Sequence, residues 1–64
     1  MKIKYQGKET ETDAATVAAF LADNGVNTAE AVIELDGEIV AGDAVAAALH
    51  EGAELNVFRI VAGG

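Results

Sequence analysis

The chain ends in Gly63-Gly64, and this pair is the part of the sequence best suited to covalent chemistry. A carboxylate at Gly64 is a poor electrophile, because its charge is delocalised and oxide does not leave. Adenylation by ATP would turn it into a mixed anhydride with AMP as the leaving group. A sulfur nucleophile attacking that carbonyl would leave a thiocarboxylate, itself a sulfur nucleophile. Glycine has no Cβ, so the carbonyl is unhindered, and Ala62 and Gly63 could thread a narrow cleft in a partner enzyme. At about 7% glycine usage a terminal pair arises by chance in roughly one chain in 200. The pair therefore gains weight only from its place just beyond the last strand.

Side-chain chemistry offers less. There is no cysteine, which removes thiolate nucleophiles, disulfides and Cys-type zinc sites. His50 is the lone histidine and has no second ligand at metal-binding spacing, so it reads as a surface or helix-end residue. Glu34, Asp36 and Glu38 are close in sequence, but paired-carboxylate catalysis needs a cleft. Asp36 is better used in a hairpin turn, with Glu34 and Glu38 on a polar face.

Sixty-four residues make one small domain, expected over 1–60, with 61–64 as a flexible tail. A core of this size supplies only ~3–5 kcal/mol of net stability and leaves little interior for an enclosed pocket. The 52% hydrophobic content is inflated by fourteen alanines. Four basic and eleven acidic residues give a net charge of −7. Nucleic acid and anionic membranes are thereby disfavoured, because both need clustered Lys and Arg. A basic protein surface would instead be attracted. Met1 to Gln6 lacks a signal-peptide pattern, and no apolar run approaches the ~20 residues of a membrane span. With no cysteine, the expected location is the cytoplasm.

The elements that must position the tail follow from periodicity. Lys2 to Tyr5 alternates with period two and predicts a strand. Gln6-Gly7 predicts a turn, and Lys8 to Thr12 a second, polar strand. Asp13 is a candidate N-cap for a helix from Ala14. Val17, Phe20, Leu21 and Asn24 fall on one helical stripe, and Gly25 ends it. Val32 to Leu35, Asp36-Gly37 and Glu38 to Val40 predict a hairpin. Asp43 could cap a short helix over Ala44 to Leu49, and Gly52 breaks the chain before a strand over Leu55 to Ile60. The helix stripe is buried by crossing a mixed sheet of four to five strands, with the first and last strands parallel neighbours. This order predicts an α+β chain of the β-grasp, ubiquitin-like kind.

In the last strand Leu55, Val57 and Arg59 share one face, and Asn56, Phe58 and Ile60 the other. With Leu55 and Val57 under the helix, Phe58 and Ile60 point outward and form a candidate docking pair beside the tail. The plainer alternatives are a strand buried on both sides or a merely tolerated patch. Arg59 could pair with an acid on a partner or steer the tail; it could equally be a solvated strand-end charge.

The stretch Glu51-Gly52-Ala53-Glu54-Leu55-Asn56-Val57-Phe58-Arg59-Ile60-Val61-Ala62-Gly63-Gly64, with the hairpin Leu35 to Val40, resembles the ThiS-type sulfur carriers of thiamin biosynthesis, in the ubiquitin-like ThiS/MoaD family. Ala41-Gly42-Asp43-Ala44-Val45 stands where thiamin-type carriers often have Pro-Arg-x-x-Trp. The molybdopterin-synthase small subunit shares the diglycine tail but is usually longer, with prolines before it. The resemblance implies a carrier with no catalytic side chain, acting as co-substrate for partner enzymes. It implies a ThiF-like adenylating enzyme that uses ATP and Mg, a sulfur donor protein, and a ThiG-like thiazole synthase. Other readings are a carrier for molybdopterin or another sulfur metabolite, an isopeptide donor, and a β-grasp interaction module. An autonomous enzyme is the weakest of them.

Overall fold

Two Xaa-Gly pairs shape the sheet. The computed structural model describes residues 1–40 and 47–59. Strand β1 (Lys2–Tyr5) turns at Gln6 and Gly7 into β2 (Lys8–Glu11), in register from Lys2 opposite Glu11 to Tyr5 opposite Lys8. Strand β3 (Ala31–Leu35) turns at Asp36 and Gly37 into β4 (Glu38–Val40). Backbone φ is positive at both residues of each turn: 53° and 82° at Gln6 and Gly7, 52° and 86° at Asp36 and Gly37. That is the type I′ form, whose twist matches that of the flanking strands.

Strand β5 (Glu54–Arg59) is central in the order β2-β1-β5-β3-β4. It runs parallel to β1, with Tyr5 opposite Leu55, and antiparallel to β3, from Ala31 opposite Arg59 to Leu35 opposite Leu55. The predicted mixed sheet, with first and last strands as parallel neighbours, is the one that forms.

Helix α1 (Val17–Asp23) lays Val17, Phe20 and Leu21 into the core. They pack with Ile3, Ile33, Leu49, Ala53 and Leu55, and Phe20 meets the Tyr5 ring edge-on at 4.8 Å. The helix starts later than expected. Thr16, not Asp13, is the N-cap, its Oγ1 accepting the Ala19 N–H at 3.1 Å. The reason is competition for backbone groups. Leu49 N–H donates to the Ala15 carbonyl, Val17 N–H to the Ala47 carbonyl, and Thr16 bridges Ala48. Ala14 N–H is taken by Thr12 Oγ1. The C-terminus is as expected. Gly25, at φ 70°, bonds back to Ala22, and Val26 bonds to Leu21, a Schellman closure. Asn24 is the C-cap, and its Nδ2 donates to the Phe20 carbonyl.

The predicted short helix over Ala44 to Leu49 does not extend over residues 47–49. There the chain is extended and paired with residues 15–17, which buries Leu49. Alanine propensity is a weak preference that this tertiary pairing overrides. Asp43 and the stretch 41–46 lie outside the described residues. A 3₁₀ turn at Thr28–Glu30, capped by Asn27 Oδ1, leads into β3 and has no clear sequence signal. Among the described residues, no helix is long and apolar enough to cross a membrane.

Candidate functional site

Strand β5 carries the candidate site because residues 60–64 come directly after it. Ile60, Ala62, Gly63 and Gly64 lie outside the described residues. Within β5 the expected alternation holds. Leu55 is fully buried and Val57 half-buried on the helix side, while Phe58 is 52% exposed on the opposite face. Phe58 stands across from Val32 on β3. Ile39 on β4, 62% exposed, lies across from Glu34, and Asn56 lies on the other side of Glu34. The open face therefore holds Phe58, Val32 and Ile39 around a polar pair in which Asn56 Nδ2 donates to Glu34 Oε1 at 3.0 Å. Alternation along the last strand singles out Phe58 but not Ile39. The signal for Ile39 is the hairpin register, which the Asp36-Gly37 turn sets and which turns Ile39 outward.

Arg59 is exposed and shares the face of Leu55 and Val57. It borders a groove of about 330 Å³ with Tyr5, Asn27 and Glu30. Among the described residues it makes no ion pair.

Gln6 reads from sequence only as a turn residue. Its side chain bonds the backbone of Val57 in both directions: Nε2 donates to the Val57 carbonyl at 2.9 Å, and Val57 N–H donates to Oε1 at 3.0 Å.

The carboxylates near the hairpin do not converge. Glu34 shares a face with Ile39, whereas Glu38 is paired with Leu35 and so lies on the other face. One polar face for both glutamates, as the sequence suggests, is therefore corrected by the register. Asp36 instead joins His50. The His50 Nε2 lies 2.6 Å from Asp36 Oδ2, and Nδ1 lies 3.0 Å from the Glu51 carbonyl. Both neighbours are acceptors, so the ring satisfies both only as the imidazolium. The Asp36 bond, then the Glu51 carbonyl, raises the His50 pKa above its ordinary value. Asp36 Oδ1 also accepts the Glu54 N–H at 2.9 Å. That bond first, and His50 second, lowers the Asp36 pKa. Both side chains are exposed, and the arrangement ties the β3–β4 turn to the start of β5. His50 thus sits in a surface pair at the hairpin rather than at a helix end. Among the described residues, no group of three or more His, Cys, Asp or Glu side chains could hold a metal ion.

A five-stranded sheet with a parallel β1–β5 centre and one crossing helix is the β-grasp arrangement. The family model described as the ThiS family matches residues 2–64. The chain belongs to the ThiS family. Its members are ubiquitin-like sulfur-carrier proteins of thiamin biosynthesis, and they act as carriers rather than enzymes. The structure is also similar to that of a thiamine biosynthesis protein (ThiS) from Geobacter metallireducens. The two share 25% sequence identity over 100% of each chain, with a TM-score of 0.83. No curated protein matches the chain. The family match takes in all of β5 and residues 60–64 after it.

Proposed function

We propose that this chain carries sulfur on the carboxylate of Gly64 for thiazole formation in thiamin biosynthesis, as a cytoplasmic co-substrate. A ThiF-like enzyme using ATP and magnesium transfers AMP to the carboxylate and releases pyrophosphate. A persulfide from a sulfur donor protein attacks the carbonyl and expels AMP. A thiol then cleaves the S–S bond of the acyl disulfide, leaving the thiocarboxylate for a ThiG-like thiazole synthase. Gly63 and Ala62 thread the partner's cleft, while Phe58, Ile60 and Arg59 dock the partner, Phe58 and Arg59 from opposite faces of β5. The carrier supplies no catalytic side chain.

One observation supports this reading above the rest: the family match runs to residue 64 and includes Gly63-Gly64, the fourth and fifth residues after β5 ends at Arg59. The exposed Phe58 supports the docking role. The same exposed face, with Ile39 beside it, also favours a second reading, a β-grasp module that binds a partner without using its end.

Intact-protein mass spectrometry tests the choice. The chain is incubated with ATP, magnesium, an adenylating enzyme and a sulfur source. The expected product gains the mass difference between sulfur and oxygen, localised to Gly64. A chain lacking Gly63 and Gly64 should stay folded and gain nothing. An unchanged mass, with an enzyme active on another carrier, would move the assignment to the binding module.

A further inference from the structure

Strand β1 is too short to support all of β5. Its pairing with β5 ends at Tyr5 opposite Leu55, with one further bond from Gln6 N–H to the Leu55 carbonyl at 3.0 Å. The chain then turns away at Gln6-Gly7. Among the described residues, the β1-side edge of β5 beyond Leu55 therefore has no strand neighbour. The Gln6 amide occupies that edge and offers Val57 one acceptor and one donor, as a backbone neighbour would.

The residue type at this position has a conformational cost. Gln6 has φ 53°, a left-handed conformation that Gly, Asn and Asp adopt more readily. The equivalent turn position in the second hairpin is Asp36. Asn at position 6 would suit the turn better, but its amide is one methylene shorter. A residue less suited to the turn but long enough to reach Val57 breaks a local preference for the sake of a contact elsewhere.

We propose that Gln6 is a positioning residue. Its amide acts as a substitute strand neighbour that fixes the end of β5, and so the direction in which the reactive tail leaves the domain. This rests on the carrier reading above. Gln6 lies in the β1–β2 turn against the side of β5 and touches neither ATP nor the reacting carboxylate in that scheme.

The test compares full-length wild type with Gln6→Asn, which keeps the turn and loses the reach, and with Gln6→Glu, which keeps the reach and loses the donor. Val17→Ala, in the buried helix face, is the control for loss of stability alone. NMR order parameters are measured at Val57 to Arg59 in each free protein, and adenylation by a ThiF-like enzyme is followed by pyrophosphate release. In both Gln6 variants the order parameters should fall at those amides and stay unchanged in α1. A misplacement of about 1 Å can cost up to ~100-fold in rate. A strand end that is loosened rather than displaced should lower kcat by roughly ten-fold, with affinity for the enzyme without ATP kept within about two-fold. The control should keep wild-type kcat at temperatures where it is folded. Unchanged order parameters at Val57 to Arg59 overturn the inference whatever the enzyme does. So does a kcat within about two-fold of wild type in both Gln6 variants, or an equal loss in the control. A wild-type chain left unmodified by an active enzyme overturns the carrier reading instead, and rejects the kinetic consequence drawn for Gln6.

Discussion

Replacing Phe58 with alanine separates docking from folding. The ring is 52% exposed and stands opposite Val32 on the open sheet face. A phenylalanine presents on the order of 200 Å², so ~100 Å² remains available for a partner to cover. At ~25 cal/mol per Å² that area is worth ~2.5 kcal/mol of binding, or about 60-fold in Kd. The folded chain loses much less. The cross-strand pair with Val32 contributes roughly 0.2–1 kcal/mol, out of ~3–5 kcal/mol expected for a domain of this size. Phe58→Ala should therefore stay folded, with a slightly lower urea midpoint and an unchanged m value. Titration calorimetry against a ThiF-like enzyme at fixed salt reads the other side. A Kd within about three-fold of wild type, on a protein shown to be folded, would refute Phe58 as an anchor. It would direct attention to Ile39, among the described residues the other large apolar side chain exposed on this face.

The fold sets three further expectations. Gly37→Ala places a Cβ at φ 86° with no heavy atom within 4 Å of it, so backbone strain is the whole effect. It should cost ~1–2 kcal/mol, and a urea midpoint equal to wild type would count against the type I′ geometry. Thr16→Ala should cost ~1 kcal/mol by removing the bond to Ala19 N–H, while Asp13→Ala should change little. The reverse order in thermal melts would restore Asp13 as the cap. The Asp36–His50 pair should make stability depend on pH. His50 is raised from 6.5 and Asp36 lowered from 3.8, so the contribution is complete between those two values. It fades as pH rises through the folded-state His50 pKa, and again as pH falls through that of Asp36. Wild type should exceed His50→Ala by more in urea at about pH 5.5 than at about pH 8.5, and an equal lead at both would reject the pair as a stabilising contact.

What is legible in the sequence depends on the range of the interactions that decide each element. The two Xaa-Gly turns, the helix stripe and the Schellman end at Gly25 are set within a few residues, and all of them form as the sequence predicts. The helix start and the segment 47–49 are not local. Asp13 and the alanines have suitable propensities, but residues 15–17 and 47–49 pair with each other across the fold. The same holds at the candidate site. Alternation along β5 is enough to turn Phe58 outward. The Gln6 clamp on Val57 joins residues 51 positions apart, and no spacing rule signals it.

The alternation in β5 also explains why its register is so closely held. Leu55 must enter the core while Phe58 faces outward, and a slip of one residue would exchange the two faces. Each edge of the strand is fixed by bonds from a different element. Lys4 N–H reaches the Ala53 carbonyl at 2.7 Å, and Gln6 N–H reaches that of Leu55. Asp36 holds both groups of Glu54, its backbone N–H donating to the Glu54 carbonyl at 2.8 Å and its Oδ1 accepting the Glu54 N–H. The Gln6 amide then holds Val57. The two left-handed non-glycine residues among those described, Gln6 and Asp36, thus turn side chains onto β5. Asp36 suits its left-handed turn position, whereas Gln6 accepts a conformation that glycine or asparagine would adopt more readily. In a carrier whose reactive end lies beyond β5, a slipped register would both empty the core and turn the docking face inward. Both turns therefore place a side chain where it holds β5 in register, at a conformational cost only at Gln6, and the proposed presentation of the chain end would depend on that register.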